Sequence, residues 1–210
     1  MEQVEIETPH GPARAHLELV SDARGALVLG HGAGGGVAAR DLQTASTAGR
    51  EHGFSVALVE QPYRVAGRRS AAPARQLDAA WLAVTARLAE RELTGLSLIF
   101  GGRSAGARVA CRTAAPGGAS AVLCLAFPLL PPRRASAAKA PESRLPELDA
   151  VTVPTLVVQG TGDRFGMPPA AANRIVIEVA GDHSLRTDLT AVGAAVTSWL
   201  TELDLPAAGA

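Results

Sequence analysis

Aromatic residues make up only 3% of the 210-residue chain, with one tyrosine, two tryptophans and four phenylalanines. A core built from this sequence must therefore be filled mostly by alanine, valine and leucine. Lysine is all but missing: Lys139 stands against nineteen arginines. With alanine and glycine abundant, that bias points to a GC-rich bacterial genome and carries no chemistry. No excess of charge exists, since twenty basic residues offset twenty acidic ones. The chain thus offers no electrostatic reason to bind nucleic acid or an anionic membrane.

No apolar run reaches the roughly 18 residues that span a bilayer. The start, Met1-Glu2-Gln3, lacks the basic and apolar regions of a signal peptide. Only two cysteines occur, Cys111 and Cys124, both inside apolar stretches. The expectation is a pair of buried free thiols in a reducing cytoplasm, with no metal-ligand spacing around them.

What is present suits one globular domain over residues 1–205, with a frayed tail at 206–210. Residues 4–7 and 15–20 alternate polar and apolar around Gly11-Pro12, the pattern of an antiparallel hairpin at a sheet edge. Continuous apolar runs follow at 26–29, 54–59, 96–100, 121–126 and 155–158, and a further strand is expected at 175–179. Such runs, bounded by turn residues, suit strands covered on both faces of a parallel sheet. Between them lie helical spacings: Leu77, Trp81, Val84 and Leu88, then Leu189, Val192, Val196, Trp199 and Leu203. A weaker helix is expected over 40–52, stopped by Gly53. The fold expected is α/β, a mostly parallel doubly wound sheet with an antiparallel N-terminal hairpin and no large lid. Residues 128–149, with five prolines, read as an insert with a helical turn, either a surface loop or a minimal lid.

Chemistry concentrates at four strand ends. Gly102-Arg103-Ser104-Ala105-Gly106 follows one apolar run and precedes a helix-compatible stretch. A nucleophile on so sharp a turn needs neighbours nearly free of side chain, which Gly102 and Gly106 supply. The turn presents the Ser104 hydroxyl and sets the Ala105 N–H at a helix start, where developing negative charge is stabilised. Gly30-His31-Gly32-Ala33-Gly34-Gly35-Gly36 follows the first parallel strand and offers a second oxyanion donor, the Ala33 N–H, with Gly34 as the alternative. Gly30, Gly32 and Gly35 also match a dinucleotide fingerprint, with Glu60 as its acidic residue, so that reading stays open.

A serine hydroxyl needs a base. His183, in Gly181-Asp182-His183-Ser184-Leu185, follows the last strand. His10, His16 and His52 are expected to be solvated, and His31 to brace its own loop. Asp163, in Gln159-Gly160-Thr161-Gly162-Asp163, is the carboxylate for His183; Asp182 and Asp149 are weaker candidates. Gln61, Tyr63, Phe127 and Met167 are candidate pocket residues. Arg103 either reaches an anionic substrate group or ties down neighbouring loops.

These four motifs resemble those of small lidless α/β-hydrolases, above all a bacterial group of predicted hydrolases related to dienelactone hydrolases. The resemblance spans roughly residues 5–203. It implies a triad of Ser104, Asp163 and His183, with oxyanion donors at Ala33 and Ala105 and no metal or organic cofactor. The nucleophile of true dienelactone hydrolases is a cysteine, and serine stands here. The resemblance implies a serine esterase or related acyl hydrolase acting on a small-molecule substrate. Some relatives serve as scaffolds, which keeps a non-catalytic interaction protein as the alternative.

Overall fold

A computed structural model describes residues 2–131 and 142–205. The tail from Pro206 and the middle of the insert at 128–149 lie outside the described residues. Eight strands form one sheet: β1 (Glu2–Ile6), β2 (Ala13–Glu18), β3 (Gly25–Gly30), β4 (Phe54–Glu60), β5 (Leu98–Arg103), β6 (Ala121–Leu125), β7 (Thr155–Gly160) and β8 (Arg174–Val179). Their spatial order is β1-β2-β4-β3-β5-β6-β7-β8. β1 and β2 are antiparallel, β2 runs antiparallel to β4, and all other pairs are parallel. The helices are α1 (Arg40–Glu51), α2 (Pro62–Val65), α3 (Ala74–Glu90), α4 (Ala105–Thr113), α5 (Leu145–Asp149) and α6 (Leu189–Glu202).

Each apolar run serves two cores at once. In β3, Ala26 and Val28 face one cluster while Leu27 and Leu29 face the other. The period-2 pleat makes this unavoidable, and it is why the strands read as unbroken apolar stretches. The first cluster takes Leu77, Trp81, Val84 and Leu88 from α3 and Ala107 and Val109 from α4. The second takes Leu42 and Ala45 from α1 and Val192, Val196 and Trp199 from α6. Four of the seven aromatics, Tyr63, Trp81, Phe100 and Phe127, enter the first core, where the Trp81 and Phe100 rings meet edge to face at 5.7 Å. The helix ends also follow the sequence. Gly53 takes φ +78 after α1, and Asp188 caps α6 by accepting from the Ala191 N–H.

His16 is a correction. It is buried and bonds Glu60 Oε2 through Nε2 at 3.0 Å. β2 is an interior strand, and the neighbouring β4 sets the Glu60 carboxylate against the His16 ring. His10 is exposed as expected, and His52 is half-buried with Nδ1 on the Ala48 carbonyl. Cys111 and Cys124 are buried free thiols with sulfurs 3.5 Å apart. Among the described residues no helix is long and apolar enough to cross a membrane.

Candidate active site

Parallel strands bring their C-terminal ends to one rim, where open α/β sheets place ligands. The register is close: Gly30 of β3 pairs with Gly102 of β5. That pairing sets the glycine loop directly beside Ser104. Ser104 itself adopts φ +53, ψ −106, a region costing about 1–3 kcal/mol for a residue with a side chain. Glycine is required around it. A Cβ on Gly106 would lie 2.3 Å from the Gly30 oxygen, and one on Gly102, at φ +156, would lie 2.4 Å from the same atom.

His183 Nε2 stands 2.9 Å from Ser104 Oγ, and its Nδ1 stands 2.8 Å from Asp163 Oδ2. The three side chains are separated by 79 and 20 residues of chain. The Asp163 carboxylate is 1% exposed and fully engaged. Oδ1 accepts the Phe165 N–H, and Oδ2 also accepts from Gln159 Nε2 at 2.8 Å. An acceptor so surrounded by donors holds His183 with its proton on Nδ1, leaving Nε2 free to take the serine proton. The Phe165 ring packs edge-on against the imidazole at 4.5 Å. The weaker acidic candidates lie elsewhere. Asp182 is exposed and bonds Ser184, whose donors hold its carboxyl below the usual aspartate value. Asp149 pairs with Arg174 at the start of β8.

The glycine loop is braced from behind. His31 is buried, and burial holds its imidazole below the ordinary value, so it is neutral. Its Nε2 accepts the Gln61 N–H at 3.1 Å, which leaves Nδ1 to donate to the Gly32 carbonyl at 2.9 Å. Tyr63 is kept protonated by burial, and its hydroxyl donates to the Ala33 carbonyl at 3.0 Å. In a trans peptide the N–H points opposite to the C=O. These two bonds therefore aim the N–H groups of Ala33 and Gly34 away from the brace. Among the described residues neither N–H, nor that of Ala105, meets an acceptor. Ala33, Gly34 and Ala105 all border the cleft at Ser104.

Four candidate pocket residues are placed otherwise than expected, for none lines that cleft. Gln61 is buried behind the glycine loop, its side chain bonded to the Leu77 carbonyl. Tyr63 sits in the same layer. Phe127 is fully buried, because Ala126 takes φ +50 and turns the chain so that the ring enters the core. Met167 is half-buried outside the cleft. Arg103 does line it, but is occupied. Its Nε lies 2.8 Å from Asp41 Oδ2 as an ion pair, and its Nη2 donates to the His183 carbonyl at 3.0 Å. The dinucleotide reading also falls, since the glycine loop does not open a helix. α1 begins only at Arg40, and Glu60 is held by His16 and Arg14. Sequence reading missed Arg108, Arg144, Arg164 and Phe165 as cleft residues. Only Arg108 carried a signal, one helical turn beyond Ser104. No group of three metal-ligating side chains occurs among the described residues.

The chain matches the family described as alpha/beta hydrolase domain over residues 23–198. Solved structures share the fold at low identity. A lidless α/β serine hydrolase from Xanthomonas campestris is 18% identical, covering 98% of this chain and 95% of its own, at TM-score 0.74. Est1E from Butyrivibrio proteoclasticus with bound ferulic acid is 16% identical, covering 95% and 98%, at 0.77. A dienelactone hydrolase from Anabaena variabilis is 17% identical, covering 98% of each chain, at 0.74. No curated protein sequence matches the chain. Spanning most of the sequence and all four strand-end motifs, the family match shows that this chain belongs to the α/β-hydrolase domain family.

Proposed function

We propose that this protein is a serine hydrolase that cleaves a small ester, thioester or related acyl substrate through an acyl-enzyme. The observation that carries this reading is the unbroken hydrogen-bond chain Asp163–His183–Ser104. Ser104 Oγ attacks the substrate carbonyl carbon while its proton passes to His183 Nε2. The carbonyl oxygen becomes an oxyanion facing the N–H groups of Ala33 and Ala105, with Gly34 adjacent. Collapse breaks the bond to the alcohol or thiol, which leaves with the proton from His183. Water then attacks the acyl-enzyme by the same route, giving the acid and restoring Ser104. Asp163 holds the imidazole tautomer and stabilises the imidazolium. No step calls on a metal or organic cofactor. The balanced charge and buried free thiols support a soluble small-molecule substrate and a bacterial cytoplasmic setting.

A fluorophosphonate probe tests this directly. The wild-type protein is expected to label covalently, and Ser104→Ala and His183→Ala to abolish labelling. A folded wild-type protein that stays inert to the probe overturns the reading in favour of a non-catalytic scaffold. Rates on p-nitrophenyl acetate against longer esters then size the acyl pocket.

A further inference from the structure

The cleft beside Ser104 has a volume of about 430 Å³, toward the small end of ligand sites. Its described walls carry four arginines, Arg103, Arg108, Arg144 and Arg164, and no aspartate or glutamate. They arrive from separate elements: the end of β5, the body of α4, the entry to α5 and the loop after β7. Two are already matched. Arg103 takes Asp41, and Arg108 grips both oxygens of Glu147. Arg112 shares Glu147 and takes Asp78.

The other two have no such partner. Arg144 gives Nη1 to the Pro128 carbonyl at 3.1 Å and makes no ion pair among the described residues. Burial and the like charge of Arg108 work against its positive form, while the Glu147 carboxylate, already gripped by Arg108 and Arg112, favours it. Arg164 is exposed and lies 4.9 Å over the Phe165 ring, with no hydrogen bond or ion pair among the described residues. Phe165 in turn rests on His183. Arg164 therefore covers the ring that packs against the base.

A guanidinium is always charged and presents a planar fork of donors that suits a carboxylate. We propose that this cleft selects substrates carrying a carboxylate on the part not cleaved, held by Arg164 and Arg144 while the scissile carbonyl sits at Ser104. A short chain between the two groups, as in the half-ester of a dicarboxylic acid, suits a cleft of this size. The catalytic part rests on the serine-hydrolase reading; the anion site does not.

The test uses two esters of the same acyl chain differing by one charge, mono-(4-nitrophenyl) adipate and its methyl ester. The anionic ester is expected to show kcat/KM about tenfold higher or more at low salt, the gain expected of one charge-assisted contact, and to lose that lead as salt rises. Arg164→Gln and Arg144→Gln are each expected to lower the ratio about fivefold. Arg91→Gln, exposed beyond the far end of α3, leaves it unchanged. A wild-type ratio at or below one overturns the proposal while leaving the hydrolase intact.

Should neither ester turn over, the hydrolase reading fails and calorimetry on Ser104→Ala decides the anion site alone. Monomethyl adipate is expected to bind and dimethyl adipate not, with binding weakened in the added Arg164→Gln change. Equal binding of the two, or displacement by inorganic phosphate at lower concentration than monomethyl adipate itself requires, overturns the carboxylate assignment.

Discussion

Arg103 Nη2 donates to the His183 carbonyl oxygen across 80 residues of chain. The same guanidinium faces Asp41 at the start of α1, and its Nη1 would sit 2.8 Å from a Cβ on Gly32. One side chain thus joins the base loop, the glycine loop and α1 around the serine that follows it.

That joint predicts a separable effect on chemistry and stability. Arg103→Met leaves the Asp41 carboxylate, 1% exposed, without its partner, which costs about 3–5 kcal/mol for a buried charge. Burial already raises the Asp41 carboxyl above its usual value, and losing the Arg103 charge raises it further. Adding Asp41→Asn is expected to recover most of the lost Tm. The fluorophosphonate labelling rate is expected to stay about 10–100-fold low in both variants, because the base loop has lost its anchor. Recovery of labelling together with Tm would make Arg103 a purely structural residue.

Glycine positions in the site divide sharply by what a methyl group would meet. Gly102→Ala and Gly106→Ala each drive a Cβ into the Gly30 oxygen, and are expected to cost about 3 kcal/mol. Gly34 has nothing within 4 Å of the same position and no positive φ. Gly34→Ala is expected to hold stability within about 0.5 kcal/mol. Urea unfolding of the three variants checks the contrast.

The rim of the sheet was legible because each catalytic candidate follows an apolar run and carries its own glycines. Ser104, Asp163 and His183 needed only local context and chain order. What stayed hidden depends on contacts between distant segments. Tyr63 reads as a pocket residue, since nothing local says that its hydroxyl reaches the Ala33 carbonyl 30 residues away. Arg144 stands in a proline-rich stretch with no periodicity, so its approach to Ser104 is a property of the folded chain alone. α2 is four residues long, too short for a hydrophobic period, although Pro62 at its first position was a signal.

His31 gives the fold a pH dependence of known sign. Burial lowers its folded pKa below 6.5, so the unfolded chain binds the proton first as pH falls. The stability it contributes is intact above about pH 6.5 and is lost progressively as pH falls through the lowered folded value. Geometry agrees, since Nε2 accepts the Gln61 N–H and a proton there would set donor against donor. His31→Asn is expected to flatten the slope of unfolding free energy against pH below 6.5. Equal slopes in urea titrations of the two proteins would refute the assignment.

Asp163→Asn is the most informative single change, because its surroundings leave an amide no good orientation. The carboxylate accepts from the Phe165 N–H on one oxygen, and from Gln159 and His183 on the other. An amide must put its NH₂ on one of those sides. Toward Phe165 it opposes a backbone donor that cannot move. Toward Gln159 and His183 it opposes one amide and forces His183 Nδ1 to become an acceptor. The proton then sits on Nε2, facing Ser104, and the imidazole can no longer receive the hydroxyl proton. Turnover of an activated ester is expected to fall by about four orders of magnitude, with a Tm loss from the unmatched donors. The imidazole tautomer, read by ¹⁵N chemical shifts of His183, is expected to switch from Nδ1–H to Nε2–H in the variant. A full loss of rate with the tautomer unchanged would mean that Asp163 acts through charge on the imidazolium and not by choosing the tautomer.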